Sequence, residues 1–318
     1  MILCSDNLWL SEFMNELITD IKKLQSETID NLKNSKASNT IRAYKADIVD
    51  FIGFCNKHNL NFLPTDPNIV SLYLTYISKT LKFSTLKRRL ASISMYHKAK
   101  GHYLDTKHPI ISENLLGIKR IKGSIQIGKK PLLINDLKLI IKAINADNIS
   151  EFNKLKNKAL LLIGFAGGFR RSELVALLYE DIDFVEEGVK ILIRRSKTDQ
   201  SGEGFVKGIP YFTNQEYCPV LNLKKYLKEL KINSGRVFKI CDKSVALKIK
   251  KYAKLAGLDY TKYAGHSLRS GFATSTAEVG AEERNIMAMT GHTSTQMVRR
   301  YIKEANLFTN NALNKIKI

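Results

Sequence analysis

Apolar residues recur at three- and four-residue steps along most of the 318-residue chain, which is the pattern of amphipathic α-helices. A first stretch of this kind covers residues 8–32, and its apolar positions are Leu10, Phe13, Leu17, Ile21 and Leu24. Its opposite face is acidic, so we expect residues 1–32 to form a helical segment that packs within the chain or against another protomer. Four further helical patterns fill residues 33–122, which predicts an all-helical domain there. The third of these helices, "STLKRRLASISMYHKAKG", has Ser84 or Thr85 as its predicted cap and ends at Gly101.

Residues 119–131 interrupt the helical pattern with two glycines, a terminal proline and five basic residues, which is typical of a linker. We place the basic linker at 123–131 and a second domain at 132–318. That domain is again mostly helical, and its one convincing β region is residues 189–212, where two β-rich runs flank a glycine-containing turn. The predicted fold class is therefore mainly α with a small antiparallel β-sheet, divided into an all-helical domain and a mixed α/β domain.

Neither a membrane span nor a metal site is expected. The longest strongly apolar run, residues 159–166, is too short to cross a bilayer, and the N-terminus lacks the basic region of a secretory signal, so we expect a cytoplasmic protein. The four cysteines form no CxxC pair. His97, His102 and His108 have no acid or thiol that completes a ligand set, and we expect all three on solvated or anion-facing surface.

Charge narrows the range of partners. The chain carries 51 Lys and Arg against 30 Asp and Glu, a formal net charge of +21. Residues 33–122 have a net charge of +11 and residues 123–318 of +14, whereas residues 1–32 have −4. Two basic segments favour a clamp around one long polyanion, and nucleic acid is the commonest such partner. A generally basic chain from a lysine-rich proteome is the alternative.

Basic side chains on one helix, along the linker and near the C-terminus are the candidate phosphate contacts. The predicted DNA-binding residues are Lys87, Arg88, Arg89, Lys98, Lys100, Lys119, Arg120, Lys122, Lys129, Lys130, Arg299 and Arg300.

Four local motifs in the second domain combine polar residues that suit one reaction. Their candidate residues are Arg170 with Glu173 in "GGFRRSEL", Lys197 near the hairpin turn, His266 and Arg269 in "HSLRSG", and His292 and Tyr301 in "GHTSTQMVRRY". Each motif alone has a structural explanation, such as a helix ion pair, a turn lysine or a helix anchor. Together they supply what a tyrosine needs to attack a phosphodiester.

The chemistry explains these residue types. The pentacoordinate phosphorus of the transition state carries extra negative charge on its oxygens, which arginine guanidiniums bind with a planar fork of donors. Histidines donate to the same oxygens or move protons near neutral pH. A phenol, with a pKa near ~10, attacks well only when nearby cations stabilise its phenolate. A lysine ammonium protonates the leaving 5′-oxygen, and no metal or nucleotide cofactor is required.

These motifs resemble the tyrosine recombinase (phage integrase) family, whose pattern is Arg, Lys, His-x-x-Arg, Gly-His, Tyr. The resemblance covers roughly residues 33–310, and the intervals between the boxes match those of the family. It implies catalytic roles for Arg170, Lys197, His266, Arg269 and His292, a supporting role for Glu173, and Tyr301 as the nucleophile. Lys207 on the returning strand competes with Lys197 for the lysine role. The chain departs from the family pattern at Phe169, where leucine is usual, and at Arg171.

The resemblance also implies how such an enzyme works. It implies a helical core-binding domain and a catalytic domain that close around double-stranded DNA, four protomers on two recombination sites, a 3′-phosphotyrosyl intermediate and a Holliday junction. An accessory DNA-bending protein is a possible further partner. The segment after Tyr301 would be exchanged between neighbours through Leu307, Phe308 and Leu313. Residues 1–32 are too short and too acidic for an arm-binding domain, which favours a compact Xer-like or mobile-element enzyme.

Two rival interpretations remain from the sequence. A type IB topoisomerase uses similar residues, and relaxation of supercoils without a specific site would favour it. A non-catalytic DNA-binding protein on the same fold is the other, although binding alone gives no reason for Tyr301. The doublet Arg299 and Arg300 is predicted to contact backbone phosphates or to hold the tyrosine segment, not to act in catalysis.

Overall fold

The protein forms two compact units, Met1–Gln126 and Ile127–Ile318. A computed structural model describes residues 21–28, 30–31, 37–123, 128–196, 203–292, 294–308 and 312–316. Within these ranges, no helix combines the length and apolar character needed to cross a membrane. We refer to the two parts as the N-terminal unit and the C-terminal unit.

The N-terminal unit is helical, as its apolar periodicity predicts. Its helices are α1 (Ser38–Lys57), α2 (Pro67–Ser78), α3 (Phe83–Ala99) and α4 (Pro109–Lys122). Helix α1 packs on α3 and α2 packs on α4, around a core that includes Phe51, Tyr73, Leu74, Leu86 and Ile93. Residues 21–28 and 30–31 are also helical, and their side chains are exposed; the other residues of the predicted N-terminal helix lie outside the described residues.

The ends of α3 and α4 correct two predictions. Helix α3 begins at Phe83 with Lys82 at the N-cap and no side-chain cap hydrogen bond, so the predicted cap at Ser84 or Thr85 is wrong. Helix α4 continues to Lys122 and ends at Gly123, which has a φ of 70° that favours glycine. The basic residues at 119–122 therefore belong to the last turn of a helix, although their sequence shows no clear helical period.

His97 is fully buried, which contradicts the prediction that it lies on the surface. It continues the inward face of α3, one turn after Ile93. Its Nε2 accepts a hydrogen bond from the Thr65 backbone N–H at 3.1 Å, and its Nδ1 lies 2.9 Å from the Ile93 carbonyl oxygen. The ring thus joins the loop before α2 to α3. Of the other two histidines, His102 is exposed and His108 is half-buried.

The C-terminal unit is built around one buried helix. Three helices precede its sheet: α5 (Ile134–Ala146), α6 (Glu151–Ala166) and α7 (Arg171–Ala176). Five follow the sheet: α8 (Pro219–Leu230), α9 (Asp242–Leu255), α10 (Ser267–Glu278), α11 (Glu283–Thr290) and α12 (Thr295–Ala305). The C-terminal half of α6 is buried on all sides because α5, α8 and α10 pack around it. This explains its uninterrupted apolar sequence "ALLLIGFA".

The sheet has three antiparallel strands in the order β1 (Ile182–Val185), β2 (Gly188–Ile193) and β3 (Phe205–Pro210). The structure confirms the hairpin of β2 and β3. Strand β1 lies outside the predicted β region at 189–212, because four residues are too short to show a period of two. In the register, Ile191 lies opposite Lys207. Since side chains alternate between the two faces of a strand, this register places Lys207 on the same inward face as the buried Ile209.

Candidate active site

Arg170 is fixed by a backbone break and by a buried carboxylate. Helix α6 ends at the Gly-Gly pair, and Gly168 has a φ of 54°, so the chain turns before Arg170 enters the N-cap of α7. Glu173, 3% exposed, accepts a hydrogen bond from the Arg170 backbone N–H at 2.9 Å and another from its Nη1 at 2.6 Å. Arg170 Nη2 donates to the Gly291 carbonyl oxygen at 3.0 Å. The guanidinium is therefore held in one orientation.

Arg269 lies one helical turn after His266, the N-cap residue of α10, as the i, i+3 spacing predicts. Its side chain is buried, and its Nη1 donates to the Gly168 carbonyl oxygen at 2.9 Å. Burial, together with the neighbouring charge of Arg170, lowers the pKa of Arg269 to about 10, so the guanidinium is still charged at neutral pH. The same Gly-Gly turn thus orients both arginines, and His266 lies at the exposed start of the helix.

The side chains of His292 and Tyr301 lie close to each other near the junction of α11 and α12. Gly291 ends α11 with a φ of 61°, a left-handed conformation that favours glycine. His292 Nδ1 lies 2.7 Å from the hydroxyl oxygen of the buried Thr290. The ring centroids of His292 and Tyr301 are 6.2 Å apart. The Tyr301 ring also packs on a small apolar cluster formed by Ala273, Ala277, Ile286 and Val298.

Burial and the cations of the site keep His292 neutral. Burial, together with the charges of Arg269, Arg170 and Lys207, lowers the pKa of His292 to about 4. At pH 7 the imidazole therefore carries one N–H donor and one unprotonated nitrogen. The negative charge of a bound phosphate would favour its protonation.

Of the two candidate lysines, the structure describes Lys207. Lys197 lies outside the described residues. Lys207 is 1% exposed, and burial lowers its pKa to about 7. Among the described residues, Glu173 is the one carboxylate whose charge acts on Lys207 and on Arg269, whereas two arginines, Arg170 and Arg269, and the partly protonated Lys207 share the same small volume. The site therefore has a surplus of positive charge, which suits a phosphate whose oxygens gain charge during reaction.

Sequence reasoning missed the groups that orient the predicted residues. Thr290 was not singled out, because a lone threonine at the end of a helix has no distinctive pattern. The carbonyl oxygens of Gly168 and Gly291 were missed because every residue has one. The available signal in the sequence was a glycine directly after a helical run, in "GG" and in "GH". Such a glycine often takes the left-handed conformation that Gly168 and Gly291 show here.

The candidate DNA-binding residues of α3 fall into two groups. Arg88 donates to Asp47 at 2.5 Å, and Arg89 donates to Asp50 and to the Tyr73 hydroxyl. Because Arg89 is engaged within the N-terminal unit, it is a weaker candidate for a phosphate contact. The same holds to a lesser degree for Arg88, whose side chain is half-exposed. The side chains that point into solvent are Lys87, Lys98 and Lys100.

The remaining basic candidates are mostly exposed. Lys129 Nζ donates to the Thr261 carbonyl oxygen at 2.7 Å, and Lys130 Nζ lies 3.2 Å from an Asp136 carboxylate oxygen. Arg299 is exposed and forms an ion pair with Glu283 at 3.2 Å. The other exposed candidates are Lys119, Arg120, Lys122 and Arg300.

Known proteins resemble this chain over nearly its whole length. The phage integrase family matches residues 132–307, and the phage integrase N-terminal SAM-like domain matches residues 29–102. An integrase/recombinase xerD homolog of Selenomonas ruminantium is 39% identical over 326 residues, which cover 98% of this chain and 94% of that protein. A tyrosine recombinase XerC of Thermodesulfovibrio yellowstonii is 25% identical over 287 residues, which cover 85% of this chain and 87% of that protein.

Solved structures share the fold at low sequence identity. The XerH site-specific recombinase in a post-cleavage complex with palindromic difH substrate matches with a TM-score of 0.63 and 18% identity, over 96% of this chain and 90% of that chain. A lambda integrase dimer bound to a COC′ core site matches with a TM-score of 0.56 and 17% identity, over 93% of this chain and 98% of that chain. Because the integrase family matches more than half of the residues and a 39% identical relative is aligned almost from end to end, this chain belongs to the phage integrase family of tyrosine recombinases, which are enzymes that cut and rejoin DNA strands.

Proposed function

We propose that this chain is a site-specific recombinase that cuts double-stranded DNA with Tyr301 and rejoins it through a 3′-phosphotyrosyl intermediate. The observation that carries the proposal is the position of the Tyr301 ring, 6.2 Å from the ring of His292, in a site where two arginines and the partly protonated Lys207 share one described carboxylate. A surplus of fixed positive charge lowers the free energy of a phenolate and of a phosphorane together.

The reaction balances with the side chains of this site. Tyr301 Oη attacks the phosphorus, a P–Oη bond forms, and the bond from phosphorus to the 5′-oxygen breaks. The phenol proton leaves to solvent or to one of the two histidines, and the 5′-oxygen takes a proton from the Lys197 ammonium. Attack by the 5′-hydroxyl of another strand reverses these steps and releases the tyrosine.

Arg170 and Arg269 are the proposed ligands of the non-bridging phosphate oxygens. Each guanidinium has five N–H donors. In the described contacts, Arg170 uses two side-chain donors, toward Glu173 and Gly291, and Arg269 uses one, toward Gly168. The contacts fix the planes of both guanidiniums and leave donors for a phosphate.

The finer assembly is part of the same proposal. Four protomers would hold two DNA sites and exchange strands through a Holliday junction, in the cytoplasm and with or without an accessory DNA-bending protein. Leu307, Phe308 and Leu313 are exposed in the single chain, which supports an exchange of the C-terminal segment between protomers. We propose a compact Xer-like or mobile-element enzyme.

A nicked suicide substrate tiled over the DNA that flanks the gene tests the proposal. The wild-type protein should form a covalent protein–DNA adduct, also in excess EDTA, whereas Tyr301→Phe should bind the same DNA without an adduct. On a substrate with two sites, the wild-type protein should yield a Holliday junction. Relaxation of a supercoiled plasmid that lacks the site, without any junction, would contradict the proposal and favour topoisomerase activity. An adduct formed by Tyr301→Phe would show that another residue is the nucleophile.

A further inference from the structure

Lys207 is a lysine buried under the active site. It lies on β3 with its side chain 1% exposed, and its Nζ is 4.8 Å from the ring centroid of Phe169 and 5.3 Å from that of Phe205. A charged group removed from water is costly unless hydrogen bonds satisfy it. A lysine in this position therefore calls for a reason beyond packing.

The hydrogen bonds of Lys207 connect two segments that carry proposed catalytic residues. Its Nζ donates to the Gly167 carbonyl oxygen at 2.6 Å and to the Met289 carbonyl oxygen. Gly167 lies in the turn that leads to Arg170, and Met289 lies in the last turn of α11, three residues before His292. One ammonium thus holds β3, the Gly-Gly turn and the end of α11 together.

We propose that Lys207 is a positioning residue that sets the place of Arg170 relative to His292, and that it does not donate the proton to the leaving 5′-oxygen; this inference rests on the proposed function. Its burial and its two carbonyl partners keep the ammonium away from DNA. The Arg170 contact with Gly291 joins the same two segments, so Lys207 and Arg170 form a double connection between them.

The charges around Lys207 fit this role. The charged or titratable side chains that face it are Glu173, Arg170, Arg269 and His292. Burial and the two arginines lower the pKa of Lys207, and Glu173 opposes them. A bound phosphate adds negative charge nearby, which favours the ammonium form and its two carbonyl bonds when the DNA is in place.

Lys207→Met tests the inference because it keeps an unbranched chain and removes the donor. Lys190→Met is the matched control, since Lys190 is exposed on the adjacent strand β2 and lies opposite Gly208 in the register. The rate of adduct formation is measured on two suicide substrates, one with a normal 5′-oxygen and one with a bridging 5′-sulfur at the scissile phosphate. A thiolate leaves without a proton, so the sulfur substrate bypasses any general acid.

The expected result is a loss of about 10²-fold in adduct formation by Lys207→Met on both substrates, as for a small misplacement of reacting groups. DNA affinity should stay unchanged, and Lys190→Met should match the wild type. Rescue of Lys207→Met by the sulfur substrate would overturn the inference and identify Lys207 as the proton donor. An unchanged rate on the oxygen substrate would overturn it as well.

A second variant protects the test against misfolding. The amide of Lys207→Gln remains polar, but it has no charge and is one bond shorter, so it cannot reach both the Gly167 and the Met289 carbonyl oxygens as the ammonium does. If Lys207→Met fails to fold, the same two outcomes are read on Lys207→Gln, with a loss on both substrates expected and selective rescue by sulfur contradicting the inference. The wild-type protein separates this question from the proposed function, because a wild type without any adduct contradicts the function and not the role of Lys207.

Discussion

Each unit of this protein contains a cluster of arginines and carboxylates, and the two clusters differ in their charge balance. In the N-terminal unit, Arg88 bonds Asp47, while Arg89 lies 3.6 Å from Asp47 and also bonds Asp50. Two cations meet two anions, and the Tyr73 hydroxyl completes the network. The cluster joins α1, α2 and α3, and it is already neutral before any ligand binds.

The cluster of the C-terminal unit is not neutral. Arg170, Arg269 and Lys207 share Glu173, the one carboxylate that acts on Lys207 and Arg269 among the described residues. Backbone carbonyl oxygens take the remaining contacts, and they orient the cations without cancelling their charge. The pKa of Arg269, of Lys207 and of His292 is lowered, whereas that of Arg89 is raised.

The difference separates a cluster that stabilises the fold from one that is ready for a ligand. A neutral buried network loses stability when one partner is removed, because the other charge is left uncompensated. A network with surplus charge holds like charges together at a cost to stability, and an incoming phosphate removes that cost. The motifs "LKRRL" and "GFRRS" look alike in the sequence, so the distinction appears only with the carboxylates that each arginine meets.

The largest expected effect on folding comes from loss of the central carboxylate of the neutral cluster. Asp47→Ala should lower the free energy of unfolding by about 3 kcal/mol, the lower end for a broken buried pair. The lower end applies because the buried carboxylate is lost while Arg88 reaches solvent and Arg89 keeps Asp50. Urea denaturation measures it, with Glu113→Ala on the exposed face of α4 as the control. A loss of about 1 kcal/mol or less would mean that the two arginines are as weakly held as surface ion pairs.

In the other cluster, the main effect should be on the reaction. Arg269→Ala should raise the barrier to DNA cleavage by about 2.7–4 kcal/mol, the range seen when one donor to a developing oxyanion is removed. Its unfolding free energy should change less than that of Asp47→Ala, because the variant also relieves repulsion with Arg170. Single-turnover cleavage by Arg269→Ala and by the exposed-site variant Arg284→Ala supplies the comparison. Equal cleavage rates for the two variants would show that Arg269 takes no part in the reaction.

The pH dependence of stability tests the lowered pKa of His292, which burial and the neighbouring cations produce together. The pKa of His292 is about 4 in the folded chain against an ordinary 6.5, so between these values the unfolded state binds a proton that the folded state does not. Stability should therefore fall as the pH drops from about 7 toward 4, and His292→Asn should lack this contribution of about 1–2 kcal/mol, after allowance for solvent screening at a half-buried side chain. Urea denaturation of both proteins from pH 7 to pH 5 measures it. If the difference in unfolding free energy between the two proteins stayed constant over this pH range, the lowered pKa of His292 would be contradicted.

The smallest effects are expected at exposed lysines outside both clusters. Lys98→Ala should reduce the slope of log affinity against log salt by about 0.9, the value for one lost phosphate contact on duplex DNA. Lys79→Ala, at an exposed position that is not a candidate contact, should leave the slope unchanged. An unchanged slope for Lys98→Ala would remove that lysine from the DNA surface.

Local patterns in the sequence predict much of this fold. Helices with a repeating apolar face, such as α1 and α5, are visible because burial on one side imposes a period of 3.6 residues. The β2–β3 hairpin is visible because its runs alternate around a glycine-containing turn. Strand β1 was missed because it is four residues long, and His97 was misplaced because burial of a histidine depends on a partner in another segment, the Thr65 N–H.

The candidate site shows the same limit. The spacing of the motifs brings out Arg170, Glu173, Arg269, His292 and Tyr301, and the structure places them together. The burial of Lys207 could not be predicted, since it depends on strand register. A shift of one residue would turn Lys207 to the opposite face of the sheet. The carbonyl oxygens that orient the arginines could not be predicted either, because these contacts join segments more than 100 residues apart.

The most direct test of the account is to identify the residue that bears the DNA. An adduct trapped on a suicide substrate is digested with protease and nuclease, and the modified peptide is sequenced by mass spectrometry. The account predicts a 3′-nucleotide on the phenolic oxygen of Tyr301, within the segment "RYIK". A nucleotide attached to any other residue, or through a 5′-phosphate, would contradict it.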